Sequence, residues 1–147
     1  MRPRALLLCG LLMLSPALAP ARADEPAVLT VRVENVSPKG GNLRLALYDR
    51  ARYEADADPV TDKVVAAKQG ANIVTFDGVE PGEYAIKMFQ DFNRNGKFDQ
   101  NWLGLPEERY GFSNNAGPDW MHLGPPRFDT ARIVLKAGAN STAIRLH

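Results

Sequence analysis

VLTVRVENV, residues 28 to 36, decides the fold. Leu29, Val31 and Val33 alternate with Thr30, Arg32 and Glu34, the period-two pattern of a strand with one buried face. After SPKGGN the alternation returns in NLRLALYD, where Leu43, Leu45 and Leu47 share a face. Two such runs joined through Gly40 and Gly41 predict a β-hairpin. KVVAA (63–67) and NIVTF (72–76), separated by a turn at Gly70, read as further strands, as does the run carrying Tyr84, Ile86 and Met88 after the Pro81-Gly82 turn. RARYEADADPVTD offers one helical turn before Pro59 stops it. At the C-terminus, ARIVLKAG and STAIRLH are expected to pair across a Gly-Ala-Asn turn. About seven strands and no long helix predict an all-β chain, a two-sheet antiparallel β-sandwich. Its expected core includes Leu29, Val31, Val33, Leu43, Leu45, Leu47, Ile86, Ile133 and Leu135.

The N-terminus reads differently. Arg2 and Arg4 precede an apolar run from Ala5 to Leu18, and Ala21-Arg22-Ala23 carries the small residues of a signal-peptidase site. Residues 1–23 are therefore expected to be a signal peptide and 24–147 a single domain, periplasmic or secreted. The apolar run is shorter than the ~20 residues needed to cross a bilayer, so no transmembrane anchor is expected after cleavage. Leu8 is too large to precede a lipidated Cys9. Cys9 is the only cysteine, so the mature domain would lack disulfides, thiol chemistry and thiolate metal sites. Without the three leader arginines, 15 basic residues face 17 acidic ones, a net charge of −2. The basic residues are scattered, which argues against nucleic-acid binding and electrostatic membrane attachment.

Residues 91–130 follow neither period, too long a stretch for a plain connection in a compact domain. They hold seven of the twelve aromatics: Phe92, Phe98, Trp102, Tyr110, Phe112, Trp120 and Phe128. Disordered linkers are poor in such residues. A folded cap, packed through Trp102, Tyr110, Phe112 and Trp120 and helped by Leu103 and Leu105, is the expectation. If exposed instead, Trp102, Tyr110 and Trp120 are candidates to stack on a glycan or a protein partner.

The cap opens with DFNRNGKFDQN, residues 91–101. Asp91, Asn93, Asn95, the Lys97 carbonyl and Asp99 fit positions 1, 3, 5, 7 and 9 of an EF-type calcium loop, with Gly96 at the sharp turn. The oxygen-only set selects calcium over zinc. Trp102 stands where the bidentate glutamate belongs, so any calcium site would be weak unless Glu107 or Glu108 folds back. The competing reading is an Asx-rich turn closed on its own backbone. Adjacent Glu107 and Glu108 point apart in an extended loop, Ser113 has no histidine beside it in sequence, and His122 is a lone imidazole. No catalytic constellation emerges.

GVEPGEYAIKMFQDFNRNGKFDQNWLGLPEERYGFSNNAG and the later GPPRFDTARIVL resemble a family of exported bacterial proteins known as a domain of unknown function. The shared features are P-G-x-Y-A, D-x-N-x-N-G-x-x-D, L-G-x-P-x-E-x-Y-G-F-S-N and G-P-P-x-F, spread from about Val79 to Leu135. The resemblance implies a cell-envelope location and a prealbumin-like or carboxypeptidase-regulatory-like sandwich, and it implies no activity. The 5-hydroxyisourate hydrolases of the wider prealbumin-like class use a Tyr-Arg-Gly-Ser tail and paired histidines; this chain ends AIRLH.

Three functional readings follow. The first is a non-enzymatic binding module of the envelope acting through its aromatic cap. The second is a hydrolase of a small or saccharide substrate using Asp91, Asp99, Glu107 or Glu108. The third is a purely structural domain of an envelope assembly. Carboxylates converging in an open cleft would favour the hydrolase; carboxylates confined to one small loop would favour the module.

Overall fold

A computed structural model describes residues 25–119, 121 and 124–147. The expected signal peptide, Trp120 and His122 lie outside the described residues. The strands are β1 (Ala27–Glu34), β2 (Asn42–Tyr48), β3 (Thr61–Ala66), β4 (Asn72–Val79), β5 (Gly82–Asp91), β6 (Tyr110–Phe112), β7 (Ile133–Leu135) and β8 (Gly138–Arg145). Two short helices, α1 (Arg50–Glu54) and α2 (Phe128–Ala131), interrupt them. One sheet has the order β4-β1-β8. The other runs β3-β2-β5-β6, with β7 pairing the start of β5.

The alternation is the cause of this architecture. Leu29, Val31 and Val33 of β1 and Leu43, Leu45 and Leu47 of β2 are all buried, together with Phe76, Ile86, Met88 and Ile144. They form one core between the two sheets. Leu135 joins them, and Ile133 packs against the cluster from a half-buried position.

Two pairings depart from the sequence reading. β1 and β2 form no hairpin: β1 pairs β4 and β8, while β2 pairs β3 and β5. Alternation fixes which face of a strand is buried and leaves its neighbour open, because strands of opposite sheets present the same pattern to one core. The crossover is held from β5, where Gln90 donates to the carbonyls of Ser37 and Gly40 and accepts from the Ser37 N–H. Gly41 has φ +85°, and a Cβ there would lie 2.1 Å from the Asp91 carbonyl oxygen. Gly41 thus lets the chain pass close against the end of β5 as it enters β2, rather than closing a hairpin with β1.

The C-terminal strands do not pair with each other either. β7 adds to β5, and β8 runs parallel to β1 over its whole length, the one parallel ladder among the described strands. Gly138, Ala139 and Asn140 lie inside β8, and Asn140 folds back to bond the backbone of Lys136 and Gly138.

A second cluster covers the other face of β5. Tyr53 from α1, Ala85, Phe112, Ala116, and Phe128 and Ala131 from α2 are buried there, flanked by Tyr48 and Tyr110. The Tyr53 hydroxyl donates to the Pro126 carbonyl, and Ser113 accepts from the Ile86 N–H while donating to the Ala131 carbonyl. The five-stranded sheet is therefore covered on both faces around β5, while its outer face over β2 and β3 stays partly open, with Val64 exposed.

Candidate functional site

The outer face of that sheet is built from two ladder rows. Register places Val64, Arg44, Phe89 and Tyr110 side by side, and Asp62, Ala46, Lys87 and Phe112 in the next row. Ala46 carries only a methyl group between longer neighbours, so a hollow forms over it. Tyr48, Pro59, Phe98, Leu105, Pro106, Pro118 and Pro125 complete its lining. The resulting groove has a volume of about 780 Å³. That lies within the range of small-molecule pockets, which are mostly apolar with a few placed polar groups.

Its aromatic side is a continuous edge-to-face chain. Phe89 and Phe98 have ring centroids 5.5 Å apart, Phe98 and Tyr110 5.8 Å, and Tyr110 and Phe112 5.9 Å. Contacts of this kind stabilise each other beyond simple burial and fix the ring positions. Lys87, between Ala46 and Phe112 in its ladder row, pairs with Asp56 at 3.0 Å and lies 4.8 Å from the Tyr48 ring centre and 4.5 Å from that of Tyr53. Burial raises the Tyr48 hydroxyl pKa, with Asp56, Asp58 and Asp62 adding to the shift, so the phenol stays neutral.

The Asp91 loop forms the shoulder of the groove. Asp91 is fully buried, and its Oδ2 meets the Arg44 Nε at 2.8 Å and the Gly96 N–H at 2.9 Å. Its Oδ1 accepts from the Asn95 N–H at 3.0 Å. Burial alone would raise this carboxyl, but the Arg44 guanidinium and the Gly96 and Asn95 N–H groups together outweigh it and hold the pKa below the ordinary carboxylate value. Asn93 and Asn95 accept from the N–H groups of Asn95 and Lys97, and their amide nitrogens both reach Asp99. Glu108, almost fully buried, folds back so that Oε1 accepts from the Phe92 N–H at 2.8 Å and Oε2 from the Asp99 N–H at 3.1 Å. Glu107 stays exposed and separate. Among the described residues, no three His, Cys, Asp or Glu side chains cluster as a metal site would require.

The aromatic expectations divide. Tyr110 and Phe112 pack as predicted. Trp102 is 90% exposed, Leu103 60% and Leu105 50%, so the three do not form the inside of a cap. They sit on a hairpin-like prong whose partner ends are bridged at Gln100 and Pro106. The groove residues Ala46, Tyr48, Lys87, Phe89 and Phe98 were missed by the sequence reading. A signal existed: Ala46 and Tyr48 of β2 and Ala85 and Phe89 of β5 are apolar or aromatic in the phase that should face water, the mark of a sheet covered on both sides.

These features define a β-sandwich with an aromatic groove on its outer face. Residues 31–143 match a family described as an uncharacterized protein conserved in bacteria (DUF2141), and the chain belongs to that family. Comparisons with curated proteins and with solved structures find no match.

Proposed function

We propose that the protein is a non-enzymatic binding module of the bacterial cell envelope, holding a small ligand with an apolar or aromatic body in the groove over Ala46. The observation that carries this reading is the groove itself, aromatic on one side and edged by Arg44 and the Lys87–Asp56 pair. A glycan or protein partner, which the aromatics also suggest, would use the same rings, but the apolar share of the lining favours a small apolar or aromatic body. The envelope location rests on the leader-like residues 1–23. Among the described residues no helix is long and apolar enough to cross a membrane.

The hydrolase reading lacks a comparable support. Asp91 and Glu108 already accept two or more hydrogen bonds each inside one loop, and Ser113 is buried and bonded at both ends. Carboxylates so engaged bind and position a loop rather than exchange protons with a substrate. The test is a chemical-shift map with a panel of apolar small molecules. Amides of Ala46, Lys87, Phe89, Phe98 and Tyr110 should move together, with no turnover of the added compound. Shifts centred on Glu107 and Glu108, or product formation, would contradict the reading.

One observation favours a second role for the Asp91 loop as a weak calcium site. Glu108 folds back onto the loop that holds Asp91 and Asp99 and binds its backbone at Phe92 and Asp99, without the three carboxylates converging on one point. The Asp91, Asn93, Asn95 and Asp99 side chains and the Lys97 carbonyl would supply hard oxygens, while the Arg44 guanidinium on Asp91 would oppose a cation. Its proposed role is to fix the shoulder of the groove.

A further inference from the structure

Residues 99–107 form a narrow prong. The Glu107 N–H donates to the Asp99 carbonyl at 3.0 Å, and the Asn101 N–H donates to the Leu105 carbonyl at 2.9 Å. At the tip, the Gly104 N–H donates to the Asn101 carbonyl at 2.8 Å, with Gly104 at φ +77°. The Asn101 side-chain oxygen accepts from the N–H groups of both Leu103 and Leu105, at 2.9 and 3.0 Å. Trp102 and Leu103 thus occupy the two corners of a turn that fixes them outward, with Leu105 just behind.

Two properties of this tip are unusual for an exposed loop. From Asn101 to Pro106 it carries no charged side chain. The backbone N–H groups of residues 101, 103, 104 and 105 are all satisfied within the turn, so water is not needed as their acceptor. Internal satisfaction of backbone donors is the condition that a non-aqueous medium imposes on a polypeptide. Trp102 adds the side chain that prefers the boundary between lipid headgroups and acyl chains, with an apolar ring system and one N–H. No described residue of the protein accepts from that indole N–H.

We infer that the prong seats Trp102 and Leu103 in the interfacial layer of a phospholipid bilayer, a peripheral contact made without a spanning segment. The occupant is a lipid surface, because the tip sets an amphipathic indole, whose N–H can reach the headgroup layer, beside two exposed leucines and carries no charged side chain from Asn101 to Pro106. The scattered basic residues imply that the contact needs no anionic lipid. This inference rests on the outward corner residues Trp102 and Leu103, which do not line the groove, although Leu105 and Pro106 of the same prong do.

The test uses vesicles of phosphatidylcholine, with and without phosphatidylglycerol. In the Trp120→Phe variant, which leaves Trp102 as the sole tryptophan, emission should shift to the blue on adding vesicles and be quenched by brominated phosphatidylcholine. Flotation of the unaltered mature chain should recover the protein with both lipid compositions. The double variant Trp102→Ala, Leu103→Ser should bind at least about tenfold more weakly while melting at the same temperature. Unchanged Trp102 emission with no bromine quenching would overturn the inference. So would binding that requires phosphatidylglycerol and vanishes near 0.5 M salt, the behaviour of charge adsorption rather than insertion.

Discussion

The Arg44 guanidinium and the Asp91 carboxylate meet at 2.8 Å beside the groove, and the two are unequally buried: Asp91 is wholly enclosed, whereas Arg44 keeps 31% of its side chain exposed. Removing Arg44 would leave a buried carboxylate without its cation. Breaking such a pair costs up to about 3–5 kcal/mol when both partners are enclosed, so Arg44→Ala should cost roughly 2–3 kcal/mol. Urea unfolding of wild type and variant checks this. A loss below about 0.5 kcal/mol would show that the backbone N–H groups suffice to hold Asp91.

The same pair sets a pH dependence. The folded pKa of Asp91 lies below its ordinary value, so in the acid range the unfolded chain binds the extra proton. The stabilisation is complete above the unfolded value of about 3.9 and is lost as pH falls through the folded value. Asp91→Asn should therefore flatten the stability profile below about pH 4 while leaving its shape near neutrality unchanged. Parallel profiles for wild type and variant would contradict the assignment.

Two aromatic substitutions should separate the cap's interior from its prong. Phe128 is buried against Tyr53, with ring centroids 5.6 Å apart, so Phe128→Ala should cost about 3–5 kcal/mol. Trp102 is exposed, and Trp102→Ala should change stability by no more than about 0.5 kcal/mol. Thermal melts of both variants decide; a large loss for Trp102→Ala would restore it to a packing role.

The crossing at Gly41 should tolerate no side chain. A Cβ there meets the Asp91 carbonyl oxygen at 2.1 Å, at a φ of +85° that L-residues rarely adopt. Gly41→Ala should destabilise the domain by about 3 kcal/mol or more, whereas Gly40→Ala, with open space around it, should cost about 1 kcal/mol from φ strain alone.

For the Asp91 loop, melting in EDTA and in 10 mM calcium tests the second role. A site of millimolar-range affinity, typical of extracellular modules, would raise stability by about 1.4 kcal/mol at a tenfold excess of free ion over the dissociation constant. Asp91→Ala would abolish the shift. Identical wild-type melts in the two conditions would leave Arg44 as the loop's cation.

How far the sequence reached depends on what each signal encodes. Period-two alternation in β1, β2 and β5 identified the core face residue by residue, because burial acts on each side chain separately. Strand partnership was not legible, since Gly40-Gly41 can end a hairpin or permit a close crossing, and only Gln90, fifty residues on, distinguishes them. The Asp91 loop was legible as a turn through Gly96 and its alternating side-chain oxygens, while Arg44, the cation that pairs with Asp91, lies 47 residues away. The groove stayed hidden because Ala46 contributes an absence of volume, and only its neighbours in the folded sheet make that absence a hollow.

The groove is the central claim, and filling it is the most direct measurement. Fluorescence titration with N-phenyl-1-naphthylamine, a small apolar aromatic probe, should saturate at one site per chain in the wild type. Ala46→Phe places a ring in the hollow on the face opposite the main core, so it should weaken probe binding at least about tenfold without lowering the melting temperature. Absence of saturable binding in the wild type, or equal binding by a folded Ala46→Phe variant, would contradict the account.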